Sequence, residues 1–175
     1  TINAPSVASL TGFAYNTSVG GPSAQQSFTI SASYLTANLV LTAPTDYEIS
    51  STSGSGFGSS ITLTPTSGSV ASTTIYVRLK AGLSLGDYSN ENIILSTTGG
   101  ANKSVACTGS VINPAPSINN PSVSTLNGFG YNTSPGGPSS AQSFSIGGLF
   151  LTGNLNIDAP ADYELSLSLN GTYSS

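Results

Sequence analysis

The strongest constraint on this chain is that it repeats itself. GFAYNTSVGGPSAQQSF opens at Gly12 and GFGYNTSPGGPSSAQSF opens at Gly128. Pro5 and Pro121, Tyr15 and Tyr131, Phe28 and Phe144, and Tyr47 and Tyr163 all stand 116 residues apart, with no insertion between them. Roughly half of the paired positions are identical, and the correspondence runs to Phe57 opposite Tyr173. Solenoid units are only about 20–50 residues long. A longer period describes a whole domain, repeated as beads on a string.

The boundary falls in VINPAPSINNP, where Pro114 and Pro116 remove backbone donors and favour extended conformations. Residues 1–111 are therefore expected to form one complete repeat, 112–116 a Pro-containing linker, and 117–175 the first half of a second repeat. Half a sandwich leaves its inner face open, at about 25 cal/mol for each Å² of apolar surface not buried. Two explanations follow. Either the chain is a window on a longer polypeptide, or another subunit completes the fold by adding strands.

Period-2 alternation, not helical periodicity, governs the apolar residues. In TTIYVRLK, Ile75, Val77 and Leu79 face one way while Tyr76, Arg78 and Lys80 face the other. Phe28 and Ile30 alternate likewise in QSFTI, and Ile61 and Leu63 in SSITLTP. NLVLTAP, DYEIS, ENIILST and KSVACTGSV complete a set of short segments bounded by Gly, Pro, Asn and Ser. The expectation is an all-β fold, a sandwich of seven or eight strands in tandem repeats. Phe28, Ile75, Val77, Leu79, Ile93 and Val105 are the expected core. Tyr88, in LSLGDYSN, is expected as a corner tyrosine whose ring packs inward and whose hydroxyl binds nearby backbone, with Leu83 plugging the same end.

Charged residues make up 6% of the chain against an average near 25%, while 37% is hydrophobic and the net charge is −4. That is not the balance of a disordered chain, which joins low hydrophobicity to high net charge. Arg78, Lys80 and Lys103 are the only basic residues, too few for phosphate neutralisation, so nucleic acid is not an expected partner. No apolar run reaches the length of a membrane span. The single cysteine, Cys107, shares parity with Val105 and Val111 and reads as a small buried apolar residue.

Catalytic and metal chemistry find little material. There is no histidine and no second cysteine, so the commonest general base and the usual zinc ligands are missing. Asp46 and Glu48, echoed by Asp162 and Glu164, are the best carboxylate pair, and the reading preferred for them is two solvent-facing groups. Asp46, Glu48 and Asp87 are weak calcium candidates, because a hard cation wants six or more oxygens and no loop motif supplies them. Tyr15 and Tyr131 are candidates for stacking on sugars, though GF-x-YNTS equally suits a strand end with Phe13 buried. Asn16, Asn102, Asn132 and Asn170 fit the glycosylation pattern, which arises by chance in a chain this rich in Ser, Thr and Asn.

PSAQQSFTISASYLTANLVLTAPTDYEIS, GSGFGSSITLTPTSGSVASTTIYVRLKAGLSLGDYSNENIILSTTGG and KSVACTGSV resemble an immunoglobulin-like repeat. That repeat recurs in large secreted and cell-surface proteins of Bacteroidota-type bacteria. The chain departs from its pattern at Cys107, where a Val-like residue is commoner, and in a longer lead-in from Ile112 to Leu126. The resemblance implies export to the cell exterior, service as a spacer or adhesive module, and no catalytic residues. The expected function is a non-enzymatic structural module of a stalk, surface filament or adhesin. Its partners would be neighbouring repeats, other copies packed laterally or by strand complementation, and surface glycans. The alternative is a glycan-binding accessory module of a secreted multidomain protein.

Overall fold

The computed structural model describes residues 1–134, 136–169 and 171–174. The chain divides into two compact units, Thr1–Pro114 and Ala115–Ser175. No helix occurs among the described residues, and none is long and apolar enough to cross a membrane.

The first unit holds β1 (Ser9–Asn16), β2 (Gln26–Ala32), β3 (Leu39–Thr42), β4 (Tyr47–Ser50), β5 (Ser60–Leu63), β6 (Val70–Leu79), β7 (Gly86–Ser96) and β8 (Lys103–Ile112). They form a five-stranded sheet in the order β1-β8-β7-β3-β5 and a three-stranded sheet in the order β2-β6-β4. All pairings are antiparallel except β1 with β8, which is parallel. The chain start serves both sheets. Asn3 N donates to Ser31 O at 3.1 Å and Ser6 N to Thr29 O at 3.0 Å, so this lead-in runs along β2 before β1 joins β8. Covering the β2 edge removes a row of free backbone groups that would otherwise invite another strand.

The alternation in the sequence becomes the core. Ile75, Val77 and Leu79 of β6 are fully buried in one cluster with Ile93 and Leu95 of β7, Val105 and Cys107 of β8, and Phe28, which stands beside Ile75 on the neighbouring β2. Burial of Cys107 pushes its thiol pKa up to about 12, with the Glu91 carboxylate adding to the shift. It is an inert packing group at neutral pH.

The largest fully buried side chain is Tyr47. Its ring meets Phe13 edge-on, with centroids 5.3 Å apart and planes at 71°. Its hydroxyl donates to Tyr88 O at 2.8 Å, which satisfies a polar atom that burial would otherwise penalise. Gly109 of β8 makes room for the Phe13 main chain and the Tyr47 hydroxyl. A Cβ there would lie 2.7 Å from Phe13 O and 2.9 Å from Tyr47 Oη. Tyr88 sits inside β7 opposite Gly109, half-buried against the core, and donates to Ser84 O at 2.8 Å. It stands two residues into β7, which begins at Gly86. A bulge between Tyr88 and Glu91, with Asn90 at φ 62°, turns the chain into the apolar half of β7.

In the second unit β9 (Ser117–Ile118) pairs antiparallel with β10 (Gly148–Leu149), and among the described residues Leu165 bridges Ser174.

Candidate functional site

The candidates in the first unit, Tyr15, Asp46, Glu48 and Asp87, are scattered through it and are not gathered into one site. Tyr15 corrects an expectation: it is not an exposed aromatic. Only 8% of it is accessible. Its hydroxyl donates to Lys80 O and accepts from Leu83 N, both at 2.9 Å, pinning the turn after β6. The cause is strand parity. Phe13 and Tyr15 alternate inward along β1, so the polar YNTS that follows marks the strand end and not a sugar platform.

Of the carboxylates, Glu48 and Glu91 are engaged. Glu48 lies directly opposite Arg78 across β4 and β6, and its Oε1 accepts from Arg78 Nε at 2.7 Å. The Arg78 guanidinium in turn lies 3.9 Å above the Phe57 ring. Asp46 precedes β4, and its backbone N–H donates to Glu91 Oε2 at 3.1 Å. Glu91, 45 positions from Asp46 and at the end of the bulge in β7, is a neighbour that no local pattern signals. Desolvation raises its pKa most, the backbone hydrogen bond from Asp46 opposes this, and the Asp46 charge adds to the rise. Asp87 is in β7 opposite Ser110. Among the described residues no group of three or more His, Cys, Asp or Glu side chains is gathered.

The open site is in the second unit. There a cleft of about 1450 Å³ is lined by Leu126, Phe129, Tyr131, Phe144, Tyr163 and Leu165 among others. Every one of these has its counterpart 116 residues earlier in the buried core of the first unit: Leu10, Phe13, Tyr15, Phe28, Tyr47 and Ile49. Tyr131 is 64% exposed where Tyr15 is 8%, and Tyr163 is 47% exposed where Tyr47 is fully buried.

Local geometry is nevertheless duplicated. Ile118 pairs with Gly148 as Ile2 pairs with Ala32, and Leu165 bridges Ser174 as Ile49 bridges Gly58. Ser145 N donates to Ser122 Oγ as Thr29 N does to Ser6 Oγ. Phe129 and Tyr163 meet at 5.3 Å and 76°, matching Phe13 and Tyr47. Gly137–Pro138 is cis, like Gly21–Pro22. The glycosylation pattern at Asn170 lies outside the described residues.

Chemically, then, the cleft is an apolar, aromatic-lined surface with the carboxylates Asp158, Asp162 and Glu164 at its margin. No family model matches the chain. No curated protein matches it. Among solved structures, the CooA pilin subunit from enterotoxigenic Escherichia coli is similar over 61% of this chain and 91% of that one, with 13% identity and a TM-score of 0.34. A likeness of that size carries no argument about what this chain does.

Proposed function

We propose that the chain is a non-enzymatic structural and adhesive module of a bacterial cell-surface or extracellular filament, stalk or adhesin, built from immunoglobulin-like repeats with a period of 116 residues. The observation that carries this reading is the duplicated geometry. The same backbone pairings and the same Phe–Tyr contact recur at equivalent positions of both units. A chain that begins the same bead a second time supplies length and repeated surface, not one specialised site.

Strand pairing favours the immunoglobulin-like assignment. β2-β6-β4 follows the order of the B, E and D strands of that fold, and β3-β7-β8 that of C, F and G, with β5 added beside β3. The polar groups of the first unit serve the fold: Glu48 holds Arg78, and Tyr15, Tyr47 and Tyr88 tie backbone carbonyls. Sparse charge makes the surface insensitive to salt, which suits a mechanical element outside the cell. Immunogold electron microscopy of native material, using antibody to the first unit, should decorate thin strings or fibres at the cell surface. Label confined to the cell interior would overturn the reading.

A second reading, a glycan-binding accessory module, is favoured by one observation, the exposed Tyr131 ring in an aromatic cleft. Polysaccharide pull-down that is lost on Tyr131→Ala would promote it.

A further inference from the structure

A bare sheet edge is a pairing surface, and three of the four sheet edges in the first unit are protected. The lead-in that runs past Asn3 and Ser6 covers β2. Ile49 of β4 exchanges two backbone hydrogen bonds with Gly58, each of 2.9 Å. β1 is broken by a bulge between Leu10 and Phe13, where Gln26 Nε2 donates to Thr11 O at 2.7 Å. The fourth edge, β5, pairs with β3 on one side and with no described strand on the other. No lysine, proline or bulge interrupts Ser60–Leu63.

Register identifies the bare groups. Ala43 N donates to Ser59 O at 2.8 Å, which sets the phase of the β3–β5 ladder. Leu41 with Ile61 and Leu39 with Leu63 are then the bonded pairs. The backbone N–H and C=O of Ser60 and Thr62 therefore point away from β3. Beside them runs a groove of about 410 Å³, lined by Thr62, Leu63, Thr64, Thr66, Val70 and Thr73 among others. Ile61 and Leu63 pack against the core but are only partly buried. Residues 49–77 carry no charge, so this edge neither repels a like strand nor recruits a charged one.

From this we infer that β5 is a self-pairing edge, adding antiparallel to β5 of a second copy of the chain about a two-fold axis. With the axis at Thr62, each Thr62 exchanges two backbone hydrogen bonds with its mate, and Ser60 meets Thr64. Ile61 of each copy lies beside Leu63 of the other, an apolar cross-strand pair that stabilises a sheet. The two five-stranded sheets become continuous, and the added strand closes over the groove. A second copy is the occupant that fits, because β5 itself is an uncharged strand alternating hydroxyl and apolar side chains. A contact one short strand long falls below the roughly 1,200–2,000 Å² of a standard interface, so a single one is weak. Beads in series would multiply it. As a lateral contact between filaments, this inference deepens the proposed function and rests on that reading.

Sedimentation equilibrium of the 175-residue chain should show reversible dimers, half-formed on the order of 0.1–1 mM. Thr62→Pro removes the outward N–H of each copy and none that β3 uses, and edge strands accept proline. It should weaken association about thirtyfold, through two lost hydrogen bonds. Thr62→Lys should weaken it about fivefold by setting like charges face to face. Mixing the Thr62→Lys and Thr62→Glu chains should restore association, which a folding defect would not allow. Register is read by a disulfide trap. Thr62→Cys should give a linked dimer on mild oxidation, and Ser60→Cys should not. Cys107 is buried in both chains and does not compete.

A chain that stays monomeric throughout that range overturns the proposal. So does association that Thr62→Pro leaves unchanged, or a Ser60→Cys dimer as abundant as that of Thr62→Cys. The filament reading fails separately. If β5 does not pair while immunogold label decorates surface fibres, self-pairing falls and the filament reading stands. If β5 pairs while label is confined to the cell interior, the filament reading falls and self-pairing stands as a property of the fold.

Discussion

Residues 1–59 and 117–175 match in sequence at roughly half of their positions, share several local pairings and contacts, and bury their side chains differently. Tyr47 and Tyr163 both meet a phenylalanine edge-on at 5.3 Å, yet the first is sealed and the second is about half open. Leu41 is fully buried where its counterpart Ile157 is 43% exposed. What differs is the company. β6, β7 and β8 supply Ile75, Val77, Leu79, Ile93, Leu95, Val105 and Cys107, the residues that close the first core. Turns, bridges and aromatic pairs are thus set by nearby sequence, whereas a dry interior is set by strands from far along the chain.

The comparison breaks most readily at its two central tyrosines. Tyr47→Ala should destabilise the first unit by about 3–5 kcal/mol, because a buried aromatic is lost and a cavity remains. Tyr163→Ala should change the second unit by less than about 1 kcal/mol. Urea unfolding followed by alkylation of Cys107 reads the first unit, since this buried thiol is the only cysteine, and hydrogen exchange of residues 142–148 in the same urea series reads the second. Equal losses at the two sites would mean that the second unit has a closed core.

A smaller difference is expected at the hydroxyl of the other tyrosine pair. Tyr15→Phe leaves Leu83 N and Lys80 O without their partner and should cost about 1–2 kcal/mol in the same assay. Tyr131→Phe, at an exposed ring, should fall within about 0.5 kcal/mol of zero.

The smallest effect is electrostatic and confined to the first unit. Folding raises the Glu91 pKa above the ordinary value of 4.5, chiefly by desolvation. The folded state then holds this proton more tightly than the unfolded chain does. The group's contribution is most favourable below the ordinary glutamate pKa and declines as pH rises through the folded value. Glu91→Gln keeps an oxygen to accept from Asp46 N–H and removes the titration. Urea midpoints measured from about pH 4 to pH 7 should therefore fall less with rising pH in the variant. An identical slope in both proteins would show that Glu91 does not feel its burial.

Much of the sandwich was legible because β-sheet burial has a period of two. Ile75, Val77 and Leu79 announced β6, and Phe28 and Ile30 announced β2, without any knowledge of their partners. Tyr15 was misread because the turn chemistry of NTSVGGPS masks the strand parity of Phe13 and Tyr15 before it. Tyr47 stood between two acids, and nothing local marked it as the centre of the core. Its burial depends on Gly109, which faces it from β8. The approach of Glu91 to Asp46, and the parallel pairing of β1 with β8, are likewise long-range events that no local pattern encodes. The open cleft is legible only through the repeat, because residues 117–175 correspond to residues 1–59, whose apolar side chains are covered in the first unit by β6, β7 and β8.

Native-state hydrogen exchange of the full chain, followed by mass spectrometry of peptides covering residues 26–32 and 142–148, tests the central claim most directly. These two stretches share most of their sequence, so intrinsic exchange rates nearly cancel. The account predicts slow exchange, limited by unfolding of the first unit, in residues 26–32, and exchange faster by orders of magnitude in residues 142–148. Comparable protection of the two stretches would contradict it.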